Sequence, residues 1–249
     1  MVQLYMNNEH FLAGITLQEN GEESNNMAFY TSQNPQAVLQ NRQQLANAIG
    51  YSLQDFVCPQ QTHSANFQKI TVQHKGNGAE SQSSAIPQTD ALYTYERGIV
   101  LSIFTADCVP IILTNAVTGL CAVIHSGWQG TVKEITAKLL QQLIAEGNNP
   151  ADLHVQIGMA LSQQRFEVDT DVYEQFQALG YADDLMYFHE ATQKYHIDNQ
   201  LTVQKQILLA GVPLENIQID RTCTYDAAQG FSYRQQRDCG RHMIFVVRK

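Results

Sequence analysis

The chain has 249 residues, of which 24 are acidic and 15 are basic, so its formal net charge is −9. This length is enough for one large domain with a buried core. A hydrophobic content of 44% is ordinary for a globular protein and excludes wholesale disorder. An acidic chain without a basic stripe lacks the electrostatic footprint of a nucleic-acid-binding protein. We therefore expect a globular protein with no nucleic-acid partner.

The sequence also bears on the cellular location. No segment approaches the roughly 18 consecutive apolar residues that span a bilayer, and the first ten residues lack the basic and apolar regions of a signal peptide. Five cysteines are scattered without a C-x-x-C pair, which is unlike a disulfide framework. These features predict a cytoplasmic protein with no membrane contact.

The first half of the chain alternates between helical and extended patterns. Asn34-Pro35 begins a predicted helix that runs to about Ile49. Glycine, serine and polar residues cluster over Lys75–Gln88, which predicts a long surface loop of the kind that often carries function. Apolar and β-branched runs then predict buried strands over Ile99–Thr105, Val109–Leu113 and Leu120–Ile124.

The second half continues this mixture. Apolar residues at helical spacing predict a helix over Thr131–Glu146, and two further helices are predicted over Thr170–Leu179 and Asn199–Leu209. Asp198 is the predicted N-cap of the last one. The predicted strands are Leu153–Ile157, Tyr195–Ile197, Ile217–Ile219 and Met243–Val247. Interleaving without strict β-α-β alternation predicts an α+β fold with a mixed sheet, formed by residues 1–249 as a single domain.

The segment between Thr105 and Thr131 holds the most informative residues. Two apolar strands flank a short connection that contains asparagine and glycine, which are turn formers. If the strands pair as an antiparallel hairpin centred on that connection, Val109 faces Ile124 and Cys108 lies opposite His125. Directly opposed residues have Cβ atoms about 5 Å apart. A thiolate and an imidazole at that separation can share one metal ion.

Zinc is the predicted metal, because cysteine and histidine are its preferred ligands. His63 lies in a polar segment after an extended stretch and is the candidate third ligand. A Cys-His-His set leaves the fourth tetrahedral position to water or substrate, as in catalytic zinc sites. Copper would bind the same set at least as tightly in vitro. Two alternatives stay open: Cys108 as a small buried hydrophobe, or Cys108 and His125 as the metal-free nucleophile and base of a hydrolase.

The motifs T-A-D-C-V-P-I-I-L and H-S-G-W-Q-G-T of this segment are accompanied by further short motifs in order along the chain. These are Ala13–Thr16, Asn41-Arg42, Gln61–His63, Thr89–Leu92, Glu167-Val168, and Phe231–Arg234 with Gly240-Arg241. Together they resemble the signature of the YfiH family, also called laccase-domain or multicopper polyphenol oxidase-like proteins. The chain departs from that signature at Gln129, where the family usually has arginine, and between Ile157 and Gln164, where a family cysteine is absent.

The resemblance implies a four-layer α/β/β/α fold with mixed sheets, and zinc bound by His63, Cys108 and His125. It also implies purine nucleoside chemistry: phosphorolysis of adenosine, inosine and methylthioadenosine, and hydrolytic deamination of adenosine. The partners would be a small nucleoside and phosphate, and no particular oligomeric state is indicated. Some members are linked to editing of peptidoglycan precursors. The older description, oxidation of polyphenols with copper, is least favoured, because eight dispersed histidines without an H-x-H pair do not match a multicopper centre.

The remaining site residues follow from the chemistry that the resemblance implies. Deamination needs a carboxylate that moves protons, and Asp107 is adjacent to Cys108. Along a regular strand Asp107 would point to the opposite face. It is therefore either a proton shuttle, if the chain bends there, or a residue that orients a metal ligand.

Phosphorolysis needs cations that hold phosphate. Arg42, Arg234 and Arg241 lie in the matching motifs and are the candidates, since a guanidinium binds phosphate through paired hydrogen bonds. Gln129 in place of the family arginine indicates weaker phosphate binding. Trp128, the only tryptophan, is flanked by glycines and is a candidate for stacking on a purine.

Overall fold

The structure is a computed structural model that describes residues 1–20 and 22–249. Its strands are β1 (Val2–Asn7), β2 (Phe11–Thr16), β3 (Phe56–Val57), β4 (Phe67–Lys69), β5 (Ala91–Thr94), β6 (Val100–Thr105), β7 (Val109–Asn115), β8 (Leu120–Ser126), β9 (His154–Ile157), β10 (Glu167–Val168), β11 (Met186–His189), β12 (Lys194–Ile197), β13 (Ile217–Ile219) and β14 (His242–Arg248). The α-helices are α1 (Pro35–Ile49), α2 (Trp128–Val132), α3 (Ile135–Ala145), α4 (Thr170–Gln177) and α5 (Asn199–Leu209). In the described part of the chain, no helix is long and apolar enough to cross a membrane.

Two mixed sheets form the centre of the fold. Sheet 1 has the strand order β1-β2-β14-β6-β3, and only the β6–β3 pair is parallel. Sheet 2 has the order β13-β9-β7-β8-β5-β4, with parallel pairs at its two edges. A third, small antiparallel sheet, β10-β12-β11, lies apart from these two.

Buried side chains divide the molecule into four layers. The two sheets face each other across an apolar core that includes Ile103 and Val246 from sheet 1 and Val123 from sheet 2. Helix α1 covers the outer face of sheet 1, where Leu45 is buried in a second cluster. Helices α3 and α5 cover the outer face of sheet 2, with Leu139 buried in a third cluster. The predicted α+β class and the implied α/β/β/α order are therefore confirmed.

Several predicted elements agree closely with the observed ones. Helix α1 begins after Asn34, whose side chain accepts a hydrogen bond from the N–H of Ala37. Helix α5 begins after Asp198, which caps it through the N–H of Leu201. Strand β13 has the predicted bounds. These segments were predictable because their capping residues and apolar patterns are local signals.

The predicted hairpin register was wrong by two residues. Strand β7 pairs with β8 so that Val109 lies opposite Ser126 and Pro110 lies opposite His125. Cys108 therefore precedes the strand instead of facing His125. Each strand extends two residues beyond its predicted C-terminal end, so β7 shortens the connection and β8 continues to Ser126. A slip by an even number keeps the alternation of faces.

The predicted helix over Thr131–Glu146 was also wrong, because the structure divides it into α2 and α3. Glu134, between them, has a φ of 60°, in the left-handed region. Its carboxylate accepts a hydrogen bond from the hydroxyl of Tyr181 at 3.0 Å. This contact comes from a residue that is distant in sequence, so the local apolar pattern could not indicate it.

Gly50 ends helix α1 in a left-handed conformation, with a φ of 79°, and nothing lies within 4 Å of the position of a Cβ atom there. We expect Gly50→Ala to lower the free energy of unfolding by about 1 kcal/mol through backbone strain alone. Gly50→Asn should lose less, because asparagine tolerates this conformation better. Urea unfolding of the three proteins tests this, and equal stability of wild type and Gly50→Ala would contradict it.

Glu146 joins the end of α3 to the edge of sheet 2. Its carboxylate accepts hydrogen bonds from Tyr93 at 2.8 Å, Gln142 at 3.0 Å and Lys69 at 3.1 Å. Burial raises the pKa of Glu146, but these donors outweigh burial and lower it to about 2. A carboxyl whose pKa is lower in the folded than in the unfolded state stabilises the fold at neutral pH. That stability is lost as the pH falls from about 4.5 toward 2.

We expect Glu146→Gln to lower the free energy of unfolding by about 1 kcal/mol at pH 7. The difference from wild type should shrink as the pH falls below about 4.5, because wild type then loses the same charge. Denaturant unfolding at pH 7, 5 and 3 measures it. Exposed Glu215, which has no hydrogen-bond or ion-pair partner among residues 1–20 and 22–249, provides the control Glu215→Gln. A difference that is constant with pH would contradict the prediction.

Candidate metal centre

A cavity of about 920 Å³ opens where the chain crosses from sheet 1 to sheet 2. Strand β6 ends at Thr105, β7 begins at Val109, and β8 ends nearby at Ser126. Among the residues that line the cavity are His63, Asp107, Cys108, His125, Trp128, Arg234 and Arg241. The structure thus brings seven of the eight predicted site residues to one cavity.

His63, Cys108 and His125 form a compact group in the wall of this cavity, which we call the metal-binding group because its atoms could hold a metal ion. The nitrogen and sulfur atoms that they offer all lie within 4.8 Å of one another. The Sγ atom of Cys108 is 3.8 Å from Nε2 of His63, and the two imidazole rings are 4.8 Å apart at an angle of 72°. Over residues 1–20 and 22–249, this is the one group of histidine, cysteine and acidic side chains that is arranged to hold a metal ion.

The donor set fits zinc. Zn–S and Zn–N bonds that meet at a tetrahedral angle place sulfur and nitrogen roughly 3.5 Å apart, close to the 3.8 Å between Cys108 and His63. Burial raises the pKa of the Cys108 thiol, but His125 and His63 outweigh it and the pKa is lowered. The thiolate is the form that binds metal. Three protein ligands leave one position for water or substrate.

Asp90 holds both histidines and was not predicted as a site residue. It is completely buried directly before β5. Its Oδ1 atom lies 2.8 Å from Nδ1 of His125 and accepts a hydrogen bond from the backbone N–H of His63 at 3.1 Å. Its Oδ2 atom accepts hydrogen bonds from the backbone and hydroxyl of Ser64 at 2.8 and 2.7 Å. This arrangement leaves Nε2 of His125 for the metal.

Asp90 and His125 each stabilise the charged form of the other. Burial raises the pKa of the Asp90 carboxyl, but the hydrogen bonds from His125 and Ser64 hold it well below its usual range. Burial lowers the pKa of His125, whereas Cys108 and Asp90 together raise it. Asp90 could have been found from the sequence, because it lies in the Thr89–Leu92 motif and histidine ligands usually have a carboxylate partner.

Gly127 provides space for the metal-binding group. A Cβ atom at this position would lie 2.7 Å from Cδ2 of His63 and 3.0 Å from the sulfur of Cys108. The first distance is shorter than real Cβ contacts, and the second is at their lower limit. The glycine that precedes Trp128 is therefore needed for the close approach of β8 to the two other residues.

Asp107 lies at a bend of the chain, with a φ of 86° in the left-handed region. The carboxylate faces the cavity, where Oδ1 accepts a hydrogen bond from the hydroxyl of Thr224 at 2.6 Å and Oδ2 accepts one from the backbone N–H of Arg234 at 2.7 Å. Of the two predicted alternatives, the chain adopts the bent one. The carboxylate is on the same side as the metal-binding group.

Arg234 and Arg241 place two guanidinium groups at the cavity. Arg234 donates to the carbonyls of Arg165 and Glu167 at 3.0 and 3.1 Å. Arg241 donates to the carbonyl of Cys239 at 2.6 Å. Among the described residues, neither guanidinium forms an ion pair with a carboxylate, although Asp107, Asp169 and Asp171 line the same cavity.

Arg42 does not lie at the cavity, contrary to expectation. Its side chain is buried and donates to the carbonyls of Met27 at 2.7 Å and Gly78 at 2.7 Å. The faces of Phe29 and Phe104 cover its guanidinium at 4.1 and 4.9 Å. The structure therefore corrects the prediction of phosphate binding for Arg42, which instead connects α1 to the loop that contains Gly78.

Three further expectations concern Trp128, Gln129 and the loop Lys75–Gln88. Half-buried Trp128 lines the cavity at the start of α2. Gln129, which replaces the family arginine, instead lines a separate cavity of about 490 Å³ together with Lys133 and Gln175. From the predicted loop Lys75–Gln88, Gln82 reaches the main cavity.

Comparisons with known proteins show the family of the chain. The model of the multi-copper polyphenol oxidoreductase laccase family matches residues 14–249. The chain belongs to this family. Its predicted membership in the YfiH group is thereby confirmed.

Three relatives cover most of the chain. The purine nucleoside phosphorylase YlmD of Bacillus subtilis is 32% identical, over 99% of this chain and 92% of its own length. The adenosine deaminase RL5 of an unknown prokaryotic organism is 34% identical, over 80% of this chain and 76% of its own length. The crystal structure of the hypothetical protein YfiH of Bacillus licheniformis has a TM-score of 0.92 at 29% identity, and the match covers 96% of this chain and 93% of that one.

We expect Asp90→Asn to weaken zinc binding about 10- to 100-fold, because an amide cannot accept every hydrogen bond that the carboxylate accepts from His63, Ser64 and His125. Competition with a chromophoric chelator measures the dissociation constant of zinc. Exposed Asp183→Asn, on a short turn outside the cavity, is the control for the charge change. Equal zinc affinity of Asp90→Asn and wild type would contradict a role for Asp90 in orienting the histidines.

Proposed function

We propose that this protein is a zinc-dependent purine nucleoside enzyme. Its reactions are phosphorolysis of adenosine, inosine and methylthioadenosine, and hydrolytic deamination of adenosine. The observation that carries the proposal is the group of His63, Cys108 and His125 at a cavity large enough for a nucleoside. Relatives that align over most of the chain are named purine nucleoside phosphorylase and adenosine deaminase.

His63, Cys108 and His125 are the proposed zinc ligands. When bound, a zinc ion supplies Lewis acidity and activates water near neutral pH. Asp90 orients both imidazoles from behind, and the lowered pKa of Cys108 provides the thiolate. Copper is a competing metal in vitro, since the same donors bind it strongly.

Asp107 is the proposed proton carrier in deamination. The reaction adds water to the purine carbon that bears the amino group and releases ammonia, so one proton must leave the attacking water and one must reach the leaving nitrogen. Asp107 faces the cavity next to Cys108, and a carboxylate in that position can perform both transfers. The hydroxyl of Thr224 and the N–H of Arg234 hold it in one orientation.

Arg234 and Arg241 are the proposed phosphate-binding residues. Backbone carbonyls fix their guanidinium groups without neutralising them. A phosphate ion that enters the cavity therefore meets two cations that are already held in position. Little side-chain conformational entropy is lost on binding. In phosphorolysis, a phosphate oxygen forms a bond to the ribose C1′ atom while the bond from C1′ to the base breaks.

Trp128 is proposed to contact the purine ring. It packs against an apolar cluster that contains Leu161, Phe166 and Val168, and all four residues line the cavity. A flat heteroaromatic ring would find an aromatic and aliphatic wall there. The Arg234 guanidinium is held at the edge of this wall, on the carbonyls of Arg165 and Glu167. An apolar wall beside a cation suits a ligand with an apolar base and an anionic co-substrate.

The remaining expectations complete the proposal. We propose that residues 1–249 form one domain with one active site, and that the partners are a nucleoside and phosphate. Five free cysteines accord with a reducing compartment, so a cytoplasmic location is part of the proposal. Polyphenol oxidation by several coppers is not favoured, because the described residues offer a single metal-binding group.

A metal-free cysteine hydrolase is the second candidate. The observation in its favour is the series Cys108, His125 and Asp90, which resembles a nucleophile, a base and an orienting carboxylate. The two candidates differ in their response to chelation. Removal of the metal abolishes the activity of a zinc enzyme. In a cysteine hydrolase, removal of the metal frees the thiolate to react.

The proposed function is tested by chromatographic analysis of the products from adenosine, with protein of known zinc content and with or without phosphate. Wild type should form adenine only with phosphate, and inosine without it. Cys108→Ala should lose at least 100-fold in rate, since the metal site loses its thiolate ligand. Cys223→Ala, which removes a thiol outside the cavity, should retain activity.

Unchanged adenosine with a full zinc complement would contradict the nucleoside proposal, and cell-wall precursors would then be the substrates to examine. Activity that persists after complete removal of zinc would favour the cysteine hydrolase. Equal activity of Cys108→Ala and wild type would contradict both candidates.

A further inference from the structure

Eight non-glycine residues of the described chain have left-handed backbone conformations. Two of them, His63 and Asp107, line the cavity, with φ values of 56° and 86°, and a third, Glu134, lies between α2 and α3 with a φ of 60°. Residues with a Cβ atom adopt this conformation at an energetic cost. Such strain persists only where surrounding contacts hold it, and it concentrates at functional sites.

The backbone of His63 is held from two sides. On one side, the N–H groups of Thr62, His63 and Ser64 all donate to the carboxylate of Asp90, at 3.1, 3.1 and 2.8 Å. On the other side, the carbonyl of His63 accepts a hydrogen bond from the ammonium of Lys133 at 2.8 Å. These contacts keep the chain in the conformation that turns the imidazole toward Cys108.

The break between α2 and α3 explains how Lys133 reaches this carbonyl. Helix α2 contacts the segment that contains His63 and Ser64, since a Cβ atom at Gly130 would lie 3.6 Å from the carbonyl of Ser64. Lys133 follows the last residue of α2, and Glu134 then turns the chain into α3. Tyr181 fixes this turn by donating to the carboxylate of Glu134 at 3.0 Å.

We propose that Lys133 is a positioning residue that fixes His63 in its ligating orientation. The inference rests on the proposed function, because it concerns the same metal-binding group. Lys133 itself touches neither the metal-binding atoms nor the main cavity. It acts through the carbonyl of His63, which is the one hydrogen-bond partner of its ammonium among residues 1–20 and 22–249.

Because Lys133 is exposed, a positioning role and a purely structural role predict different effects when its ammonium is removed. An exposed ammonium that donates one hydrogen bond contributes little to global stability. The hydrogen bond is made to His63, however, which has a strained backbone and is a proposed metal ligand. Contacts of this kind outside the ligand set control the orientation of metal ligands. Loss of Lys133 should therefore change metal affinity much more than it changes the melting temperature.

The test compares Lys133→Met, which keeps the aliphatic chain but removes the donor, with Lys133→Arg, which restores a donor. Lys138→Met is the matched control, because Lys138 is also exposed and its ammonium has no partner among the described residues. The first readout is the dissociation constant of zinc, by chelator competition. We expect an increase of about 10-fold in Lys133→Met, recovery of most of the affinity in Lys133→Arg and no change in Lys138→Met.

The second readout needs no metal: the imidazole resonances of His63 in the metal-free protein, observed by NMR. They should shift or broaden in Lys133→Met but not in Lys138→Met, while the melting temperatures of all variants stay within about 2 °C of wild type. Where wild type binds zinc, a dissociation constant for Lys133→Met within twofold of wild type would overturn the proposal. Equal weakening in Lys133→Met and Lys138→Met would also overturn it, since the effect would then be one of net charge.

The two readouts distinguish this inference from the proposed function. If wild type binds no zinc but the His63 resonances change only in Lys133→Met, Lys133 positions His63 and the metal part of the proposed function fails. If wild type binds no zinc and the resonances are unchanged, both fail. If zinc binds and weakens as expected but adenosine is not converted, the inference holds and the nucleoside proposal fails.

Discussion

The arrangement of the metal-binding group depends on one buried carboxylate. Asp90 contacts His125 twice, because its side chain pairs with the imidazole and its backbone carbonyl accepts the N–H of His125 at 2.8 Å. The same carboxylate holds the backbone of His63. A carboxylate without access to water is favourable only when hydrogen bonds surround it. The need to satisfy Asp90 therefore brings together a loop and a strand end that are far apart in sequence.

The four-layer fold supplies the third member of the group. Strand β6 belongs to sheet 1 and β7 belongs to sheet 2, so the chain between them must cross from one layer to the next. Asp107 and Cys108 lie in this crossing, which is too short for regular structure and bends at Asp107. The thiol and the carboxylate consequently face the same cavity. Continuous strand geometry would have put them on opposite faces.

Local sequence patterns predicted α1, α5 and half of the strands, because caps and apolar periodicity are read within a few residues. They also indicated the metal-binding group: the hairpin register was wrong by two, but an even slip keeps Cys108 and His125 on one side. The helix break at Glu134 could not be predicted, because its hydrogen bond comes from distant Tyr181. Arg42 was misassigned for a related reason, since a motif does not distinguish an arginine that binds carbonyls from one that faces a cavity.

The net charge of the chain is opposite in sign to the charges of the two arginines at its cavity. The chain carries a net charge of −9 and should repel anions at long range. At physiological ionic strength, however, screening limits such repulsion to about 8 Å. Within that distance an anion in the cavity meets Arg234 and Arg241, which have no carboxylate partner among the described residues. Because the two guanidinium groups are already oriented by backbone carbonyls, an acidic protein can still present positive charge to its cavity. Local preorganisation, not total charge, therefore determines the charges that a ligand would meet there.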